Sequence, residues 1–176
     1  MIFNPTPLGG AYVVEIEKMR DERGFFARSY CVEEFAAHGL EPLGVQCNIS
    51  HNARMGTLRG MHLQEPPNAE AKLVRCTRGA LFDVIIDLRP EAPTYCQWFG
   101  IDLTADNYSM LYVPRGCAHG FQTLEDHTEV CYQMSRAYSA QGARGVRWDD
   151  PLFLIKWPLP VTSISERDQS YPEFHK

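Results

Sequence analysis

Residues 80–88 of the 176-residue chain, ALFDVIIDL, alternate in a way that decides the fold class. Every even position in this stretch is apolar, whereas Asp83 and Asp87 occupy odd positions. Successive side chains of a β-strand point to opposite faces, so a period of two indicates a strand with one wholly apolar face.

Short strands separated by turn residues make up most of the chain. A helix is predicted only over Val32–His38, where Gly39 ends it, and the proline-rich tail after Trp157 is expected to end in a short, loosely held segment. Many short strands without alternating helices predict an all-β sandwich or barrel, whose closed form hides the sheet edges. The predicted strands cover 11–16, 43–50, 57–64, 71–77, 80–88, 96–103, 109–113 and 128–135.

Length and composition favour a single domain over residues 1–176, with 44% hydrophobic and 22% charged residues. The net charge of −5 argues against a broad nucleic-acid surface, although a local arginine cluster could bind a small phosphorylated ligand. We find no leader-like N-terminus and no membrane-spanning apolar run. The six cysteines include no C-x-x-C pair, which is typical of reduced thiols, and we expect a cytoplasmic protein.

His62, in the stretch LRGMHLQ (58–64), is a candidate metal ligand because it lies on a strand of the predicted barrel. Gln64 stands where a metal-binding barrel of the cupin type would place a second histidine. A later turn, PRGCAH, leads to His119 on the next strand. Two histidines and an amide form a poor ligand set, so we predict no metal.

Proton transfer is a second possibility for His62, because an unperturbed histidine has a pKa of about 6.5. Lys72 begins a strand after a polar loop, and Tyr132 shares a strand face with Val130 and Met134. A base, a fixed cation and an acid are what proton abstraction next to a carbonyl requires. Isolated inward histidines, lysines and tyrosines are more often structural, so the pattern alone leaves both interpretations open.

A third set of polar residues suggests an anionic ligand. Gln46 and Asn48 share a strand face and could bind the edge of a base or a sugar. Four cationic or titratable residues fall on or beside predicted strands, and a solvated basic rim is the alternative interpretation. These residues are Arg23, Arg59, Lys72 and His119.

Taken together, the motifs resemble those of the dTDP-4-dehydrorhamnose 3,5-epimerases over roughly residues 8–170. The resemblance implies a jelly-roll, cupin-like double-stranded β-helix, a homodimer, and neither metal nor other cofactor. It implies epimerisation of a nucleotide-linked 4-keto-6-deoxyhexose at carbon 3, carbon 5 or both. The motifs that carry it, in the family's order, are DERGFFARSY (21–30), VQCNIS (45–50), LRGMHLQ (58–64), AKLVRCTRGALFDVIIDLRPEAPTY (71–95), VPRGCAHGF (113–121), WDDP (148–151) and ISERD (164–168).

The resemblance also implies roles for individual residues. His62 resembles the general base, Tyr132 the acid on the opposite face and Lys72 the lysine that stabilises the enolate. Asp168 matches the aspartate that orients the histidine, and Phe26 is expected to pack near the base. The residues that match nucleotide and diphosphate contacts are Arg23, Gln46, Asn48, Arg59 and His119.

Strand geometry poses one difficulty for this site. Arg59 and His62 have opposite parity on a regular strand, so they cannot both face one pocket unless the strand bends. Gly60 lies between them and is the natural position for a β-bulge.

Two positions depart from the family pattern, with Arg28 and Ala143 where the family commonly has acidic residues. We expect these positions to alter the preference for nucleotide or sugar. The alternatives that remain are a single-carbon epimerase acting on a sugar carried by another nucleotide, a non-catalytic sugar-nucleotide-binding cupin, and a metal-dependent oxygenase. The set of His62, Lys72 and Tyr132 argues against a silent binder, and Gln64 argues against an oxygenase.

Overall fold

In a computed structural model, which describes residues 1–176, two antiparallel β-sheets face each other. The first sheet contains, in spatial order, β1 (Ile2–Pro5), β2 (Tyr12–Glu15), β10 (Met110–Val113), β7 (Lys72–Arg78), β12 (Thr128–Met134) and β5 (Gln46–Asn52). The second contains β13 (Ala143–Gly145), β6 (Leu58–Gln64), β11 (Cys117–Thr123), β8 (Ala80–Asp87) and β9 (Trp98–Thr104). This arrangement confirms the predicted all-β, jelly-roll class.

Three short elements lie outside these sheets. A separate hairpin is formed by β3 (Met19–Asp21) and β4 (Gly24–Phe26). The predicted helix is present as α1 (Val32–Ala37), and α2 (Glu166–Gln169) lies near the C-terminus. No helix is both long and apolar enough to cross a membrane.

All the predicted strands are present, although their ends differ by up to a few residues. β11 was predicted only as the strand that bears His119, without bounds, and it is seven residues long. The strands that were not predicted at all are only three or four residues long, namely β1, β3, β4 and β13. Such short, mostly exposed segments carry too few residues to display a period of two.

The main hydrophobic core lies between the two sheets. Val74 and Leu111 from the first sheet meet Leu81, Ile85 and Leu103 from the second, and all five are completely buried. The odd face of β8 therefore points inward, which buries its two aspartates completely as well. These aspartates are partnered, Asp83 by His119 and Asp87 by Arg89 and Thr94.

The wholly apolar face of β8 points outward and is covered by the C-terminal part of the chain. Val84 and Ile86 belong to a second cluster with Val146 and Phe153, against which Trp157 packs. The sequence showed the strand but not that both of its faces would be buried.

The expectation of a loosely held segment at the end of the tail is wrong, because the Phe174 N–H donates to the Asp150 Oδ2 at 2.6 Å and the Phe174 ring packs on a core cluster. The backbone N–H of Leu58 donates to the Ser163 carbonyl at 2.8 Å. The fully buried Gln122 side chain donates to the Leu159 carbonyl at 2.8 Å and accepts from the Leu159 N–H at 3.0 Å. The tail is thereby fixed to β6 and β11, which brings α2 beside β6.

Candidate active site

A β-bulge in β6 brings Arg59 and His62 to the same cavity, as the sequence predicted. His62 pairs with His119 on β11, and Arg59 pairs with Phe121, so β6 contains one residue more than β11 over this interval. Gly60 adopts a φ of +139°, and a Cβ there would approach the Gly120 Cα to 2.6 Å. Only glycine combines this backbone conformation with so close a strand contact.

Two adjoining cavities of about 320 and 340 Å³ form one cleft at this end of the sandwich. The first, here named the Arg59 lobe, is lined by Arg59, His119 and Phe121 among others. The second, the Gln46 lobe, is lined by residues from several elements, including Gln46, Asn48, Glu70, Tyr138, Ala143, Arg144 and Arg167. His62, Lys72 and Tyr132 line both lobes and therefore lie where the two meet.

His62 and Asp168 form a hydrogen-bonded pair at the cleft. The His62 Nε2 lies 2.7 Å from the Asp168 Oδ1, while the Asp168 Oδ2 accepts from the Gly60 N–H at 3.2 Å. Burial tends to raise the pKa of Asp168, but the hydrogen bonds from His62 and Gly60 outweigh it and lower that pKa. An ionised Asp168 accepts from Nε2–H, which leaves the His62 Nδ1 as the basic nitrogen.

The C-terminal helix α2 positions Asp168 by a local cap. Ser165 is its N-cap residue, and the Ser165 hydroxyl accepts from the Asp168 N–H at 3.1 Å. Tyr171 follows the helix and packs edge-on against the His62 ring, with 6.2 Å between ring centroids. The tail thus supplies both the carboxylate and one wall of the histidine site.

Lys72 lies nearly buried at the cleft and is held by Glu70. Its Nζ is 3.0 Å from the Glu70 Oε1 and 3.5 Å from the His62 carbonyl oxygen. The side chains of Lys72 and Glu70 are only 10% and 2% exposed. Glu70 was not predicted as a site residue, although its spacing of two residues from Lys72 is the same-face spacing of an extended chain.

Tyr132 lies on the β12 face that points inward, with Val130 and Met134 on the same face. Burial raises the pKa of Tyr132, and the nearby Arg59 only partly offsets this. The phenol is therefore protonated at neutral pH and can act as a proton donor.

A second histidine–aspartate pair lines the Arg59 lobe. The His119 Nε2 lies 2.7 Å from the Asp83 Oδ1, and Asp83 is completely buried. The Asp83 Oδ2 has no hydrogen-bond partner. Arg59 itself donates from Nε to the Asn52 Oδ1 at 2.7 Å, which fixes its guanidinium beside this lobe.

Two glutamines fix the loop that bears Tyr138 over the Gln46 lobe. The Gln46 Oε1 accepts from the Tyr138 N–H at 2.8 Å, and its Nε2 donates to the Asn48 Oδ1 at 2.9 Å. The Gln64 Oε1 accepts from the Ser139 N–H at 2.5 Å. Gln64 is thus committed to the loop, and no group of three metal-binding side chains converges in the chain.

Arg23 and Phe26 do not reach the cleft within one chain. Both belong to the β3–β4 hairpin, where the Arg23 side chain is 84% exposed and pairs with Asp21, and Phe26 is 70% exposed. Of the two positions that depart from the family pattern, Ala143 lines the Gln46 lobe. Arg28 instead pairs with Glu34, outside the cleft.

Comparison with known proteins gives a consistent set of relatives. The family model described as dTDP-4-dehydrorhamnose 3,5-epimerase matches residues 5–176. A protein of that name from Sinorhizobium fredii is 42% identical, with 98% of this chain and 89% of the relative covered. One from Salmonella typhimurium is 38% identical, with 98% and 94% covered.

Solved structures show the same similarity. A dTDP-4-dehydrorhamnose 3,5-epimerase from Elizabethkingia anophelis superposes with a TM-score of 0.95 at 38% identity, covering 99% of this chain and 96% of the other. The one from Bacillus anthracis, solved with TDP and PPi bound, has a TM-score of 0.93 at 40% identity, covering 98% and 99%.

Proposed function

The chain belongs to the dTDP-4-dehydrorhamnose 3,5-epimerase family, and we infer from this membership that it is an isomerase of nucleotide-linked 4-keto-6-deoxyhexoses. Its substrate is dTDP-4-dehydro-6-deoxyglucose, which it converts to dTDP-4-dehydrorhamnose by inverting ring carbons next to the ketone. The observation that carries this assignment to specific residues is the meeting of His62, Lys72 and Tyr132 between the two lobes.

His62 acts as the general base in the proposed mechanism. Its Nδ1 takes the proton from the carbon next to the C4 carbonyl, and the electron pair of that C–H bond moves to form an enolate. Asp168 accepts the hydrogen bond from Nε2 and stabilises the imidazolium that results. The Lys72 ammonium stabilises the negative charge that develops on the C4 oxygen.

Tyr132 acts as the acid and delivers a proton to the opposite face of the enolate. Two groups are needed because a single proton shuttle would return the proton to the face that it left. The raised pKa of Tyr132 supports this role, because the phenol holds its proton until the enolate forms. Exchange with solvent then returns His62 and Tyr132 to their starting protonation states.

The nucleotide and diphosphate are held by the polar residues at the cleft. Arg59 and His119 line one lobe together and supply donors for phosphate oxygens. Gln46 and Asn48 line the other lobe and supply amide groups for a sugar or base edge. Ala143 provides no polar group there, so this lobe is where we expect selectivity for the substrate to differ from that of relatives.

We further propose a homodimer in which the β3–β4 hairpin of each protomer reaches the cleft of the other. This would bring Arg23 and Phe26 to the substrate, which they do not approach within one chain. The hairpin and the edge strand β5 both expose apolar side chains, including Phe26 and Ile49 at 70% and 69%. An exposed strand edge beside apolar residues favours association with a symmetric partner.

Phe26→Asp tests this association, because it places a charge in the proposed interface. We expect light scattering to show a dimer for the unaltered protein at micromolar concentration and a monomer for the variant. Glu22→Gln, which changes an exposed residue on the same hairpin, is the matched control and should leave the dimer intact. A monomeric unaltered protein would contradict the proposal.

We also propose a domain organisation, a cofactor requirement and a cellular compartment. Residues 1–176 form one catalytic domain that needs no cofactor and no metal, and that binds neither nucleic acid nor membrane. All six cysteines are free thiols, which supports a reducing compartment such as the cytoplasm. Elemental analysis with stoichiometric iron, manganese or zinc, together with activity lost on chelation, would contradict the metal-free mechanism.

Proton NMR in deuterated water tests the proposed function directly. With the dTDP-linked 4-keto sugar, we expect solvent deuterium to replace hydrogen at each epimerised carbon. Tyr132→Phe keeps the base, so it should still exchange the abstracted proton while forming little inverted product. His62→Asn should lose both exchange and inversion, and equal losses in the two variants would remove Tyr132 as a separate acid.

The same measurement determines selectivity when it is repeated with sugars carried by other nucleotides. Arg28 lies two residues after the hairpin that we propose to reach the partner's cleft. Arg28→Glu restores the acidic type of side chain common in the family, and we therefore expect it to change the preference among these substrates. An unchanged preference would show that Arg28 has no part in selecting the nucleotide.

A further inference from the structure

Glu70 is the least explained charged residue at the cleft. Its Oε1 holds the Lys72 ammonium at 3.0 Å, and its side chain is only 2% exposed. Its Oε2 is buried without any hydrogen-bond partner, although the residue lines the Gln46 lobe. Leaving a buried polar atom unpaired is unfavourable, and more so when the group is charged. The Glu70 Oε2 is therefore a hydrogen-bond acceptor that no donor of the chain satisfies.

The Lys72 ammonium beside it has the complementary property. An ammonium carries three N–H donors. The ammonium forms an ion pair with the Glu70 Oε1 at 3.0 Å, and one N–H donates to the His62 carbonyl oxygen at the longer distance of 3.5 Å. At least one further N–H is available to the cleft, which Lys72 lines on both sides. The pair therefore presents one free donor next to one free acceptor.

An α-hydroxyketone has the matching arrangement of groups. Its carbonyl oxygen accepts a hydrogen bond, and the hydroxyl on the neighbouring carbon donates one. The two oxygens sit on neighbouring carbons, so one sugar can bind both the donor and the acceptor of a single ion pair.

We propose that Glu70 determines specificity by accepting a hydrogen bond from the sugar hydroxyl next to the ketone, while Lys72 binds the ketone oxygen. This inference rests on the proposed function and deepens it, because it names the unit of the sugar that the site recognises. Enolisation removes a proton from carbon and makes no demand on that hydroxyl. Glu70 therefore selects and orients the sugar, and His62 and Tyr132 move the protons.

A substrate without the hydroxyl separates this role from a structural one. The probe is the dTDP-linked 4-keto-3,6-dideoxyhexose, which lacks the 3-hydroxyl but still has an exchangeable proton at carbon 5. Deuterium exchange at carbon 5 is measured as kcat/KM for this probe and for the parent sugar. The unaltered protein should prefer the parent sugar by about 10- to 100-fold, the loss expected when a charged acceptor is left without its donor.

Glu70→Gln keeps the side-chain volume but removes the charge, and we expect it to reduce this preference at least about fivefold. Glu70→Ala removes the acceptor and should leave a preference below about threefold, since little remains to distinguish the two sugars. Glu65→Gln is the matched control, because it removes the same charge from an exposed side chain nearby and should keep the preference of the unaltered protein.

The outcomes are distinguishable from one another. A structural defect lowers kcat/KM for both sugars equally, so an unchanged preference in the Glu70 variants would overturn the role of Glu70. If Glu70→Ala does not fold, Glu70→Gln decides the question by itself. If the unaltered protein exchanges deuterium in neither sugar, the proposed function fails instead.

Discussion

Two histidine–aspartate pairs lie side by side on neighbouring strands, and they differ mainly in what surrounds them. His62 on β6 and His119 on β11 are direct cross-strand partners, and each Nε2 lies 2.7 Å from a carboxylate oxygen. The His62 side chain is 41% exposed, whereas that of His119 is 10% exposed. The hydrogen-bond distance is thus the same in both pairs, but His62 is more accessible from the cleft than His119.

The two carboxylates also reach their histidines by different routes. Asp83 lies on β8, the strand next to β11, and is completely buried. Asp168 comes from α2, 106 residues beyond its histidine, and both of its oxygens accept hydrogen bonds. A histidine that moves a proton needs an accessible ring nitrogen and a partner that remains charged. A histidine that binds an anion, as we propose for His119, needs mainly a fixed position, which the pairing with Asp83 in the sheet provides.

The largest effect should separate the two histidines themselves. His62→Asn removes the proposed base, and we expect kcat for deuterium exchange to fall by about 10³-fold or more. His119→Asn removes a proposed donor to the diphosphate, so KM should rise while kcat stays within about tenfold. Steady-state exchange kinetics measured by NMR check both values. Equal losses of kcat in the two variants would show that the two histidines do not differ in role.

A smaller effect should separate the two aspartates. Asp168→Asn is expected to lower kcat by about 10²-fold, because the imidazolium loses its ionised partner. Asp83→Asn is expected to lower the free energy of unfolding by about 1–3 kcal/mol with a smaller change in kcat, because it leaves a buried hydrogen bond impaired. Denaturant titrations and kinetics on the same protein preparations check this. If Asp168→Asn lost stability and Asp83→Asn did not, the comparison would be reversed.

The smallest effect should appear in the dependence of stability on pH. The pKa of Asp168 is lower in the folded protein than its ordinary value of 3.8, so the unfolded chain binds its proton more readily. Asp168 therefore stabilises the fold at pH values above 3.8. This stabilisation is lost as the pH falls below 3.8 and through the lower pKa that Asp168 has in the folded protein.

Denaturant titrations at a series of pH values measure this contribution. The difference in unfolding free energy between the unaltered protein and Asp168→Asn should be largest near neutral pH and should shrink with acidification. A difference that stays constant down to about pH 3 would show that the charge of Asp168 contributes nothing to stability.

Much of this site was predictable because it rests on local rules. Strand parity and a glycine were enough to predict that β6 bends at Gly60 and turns Arg59 and His62 to one cavity. The period of two was enough to turn Tyr132 inward. These predictions needed only neighbouring residues in the chain.

The parts that could not be predicted depend on contacts distant in sequence. The burial of Asp83 depends on His119, which lies 36 residues away, and no pattern within β8 indicates it. Glu70 belongs to a polar segment, and its burial follows from the packing around Lys72. The hairpin residues Arg23 and Phe26 lie outside the cleft of their own chain, where sequence motifs alone had suggested substrate contacts.

The position of Asp168 in the chain has a consequence for proteolysis. Every strand of both sheets precedes it, so a cut just before Asp168 removes the partner of His62 and leaves every strand uncut. Such a cut also spares Leu159 and Ser163, which hold the tail to β11 and β6. Limited clipping at the C-terminus should therefore remove the support of the histidine before it disturbs the sheets.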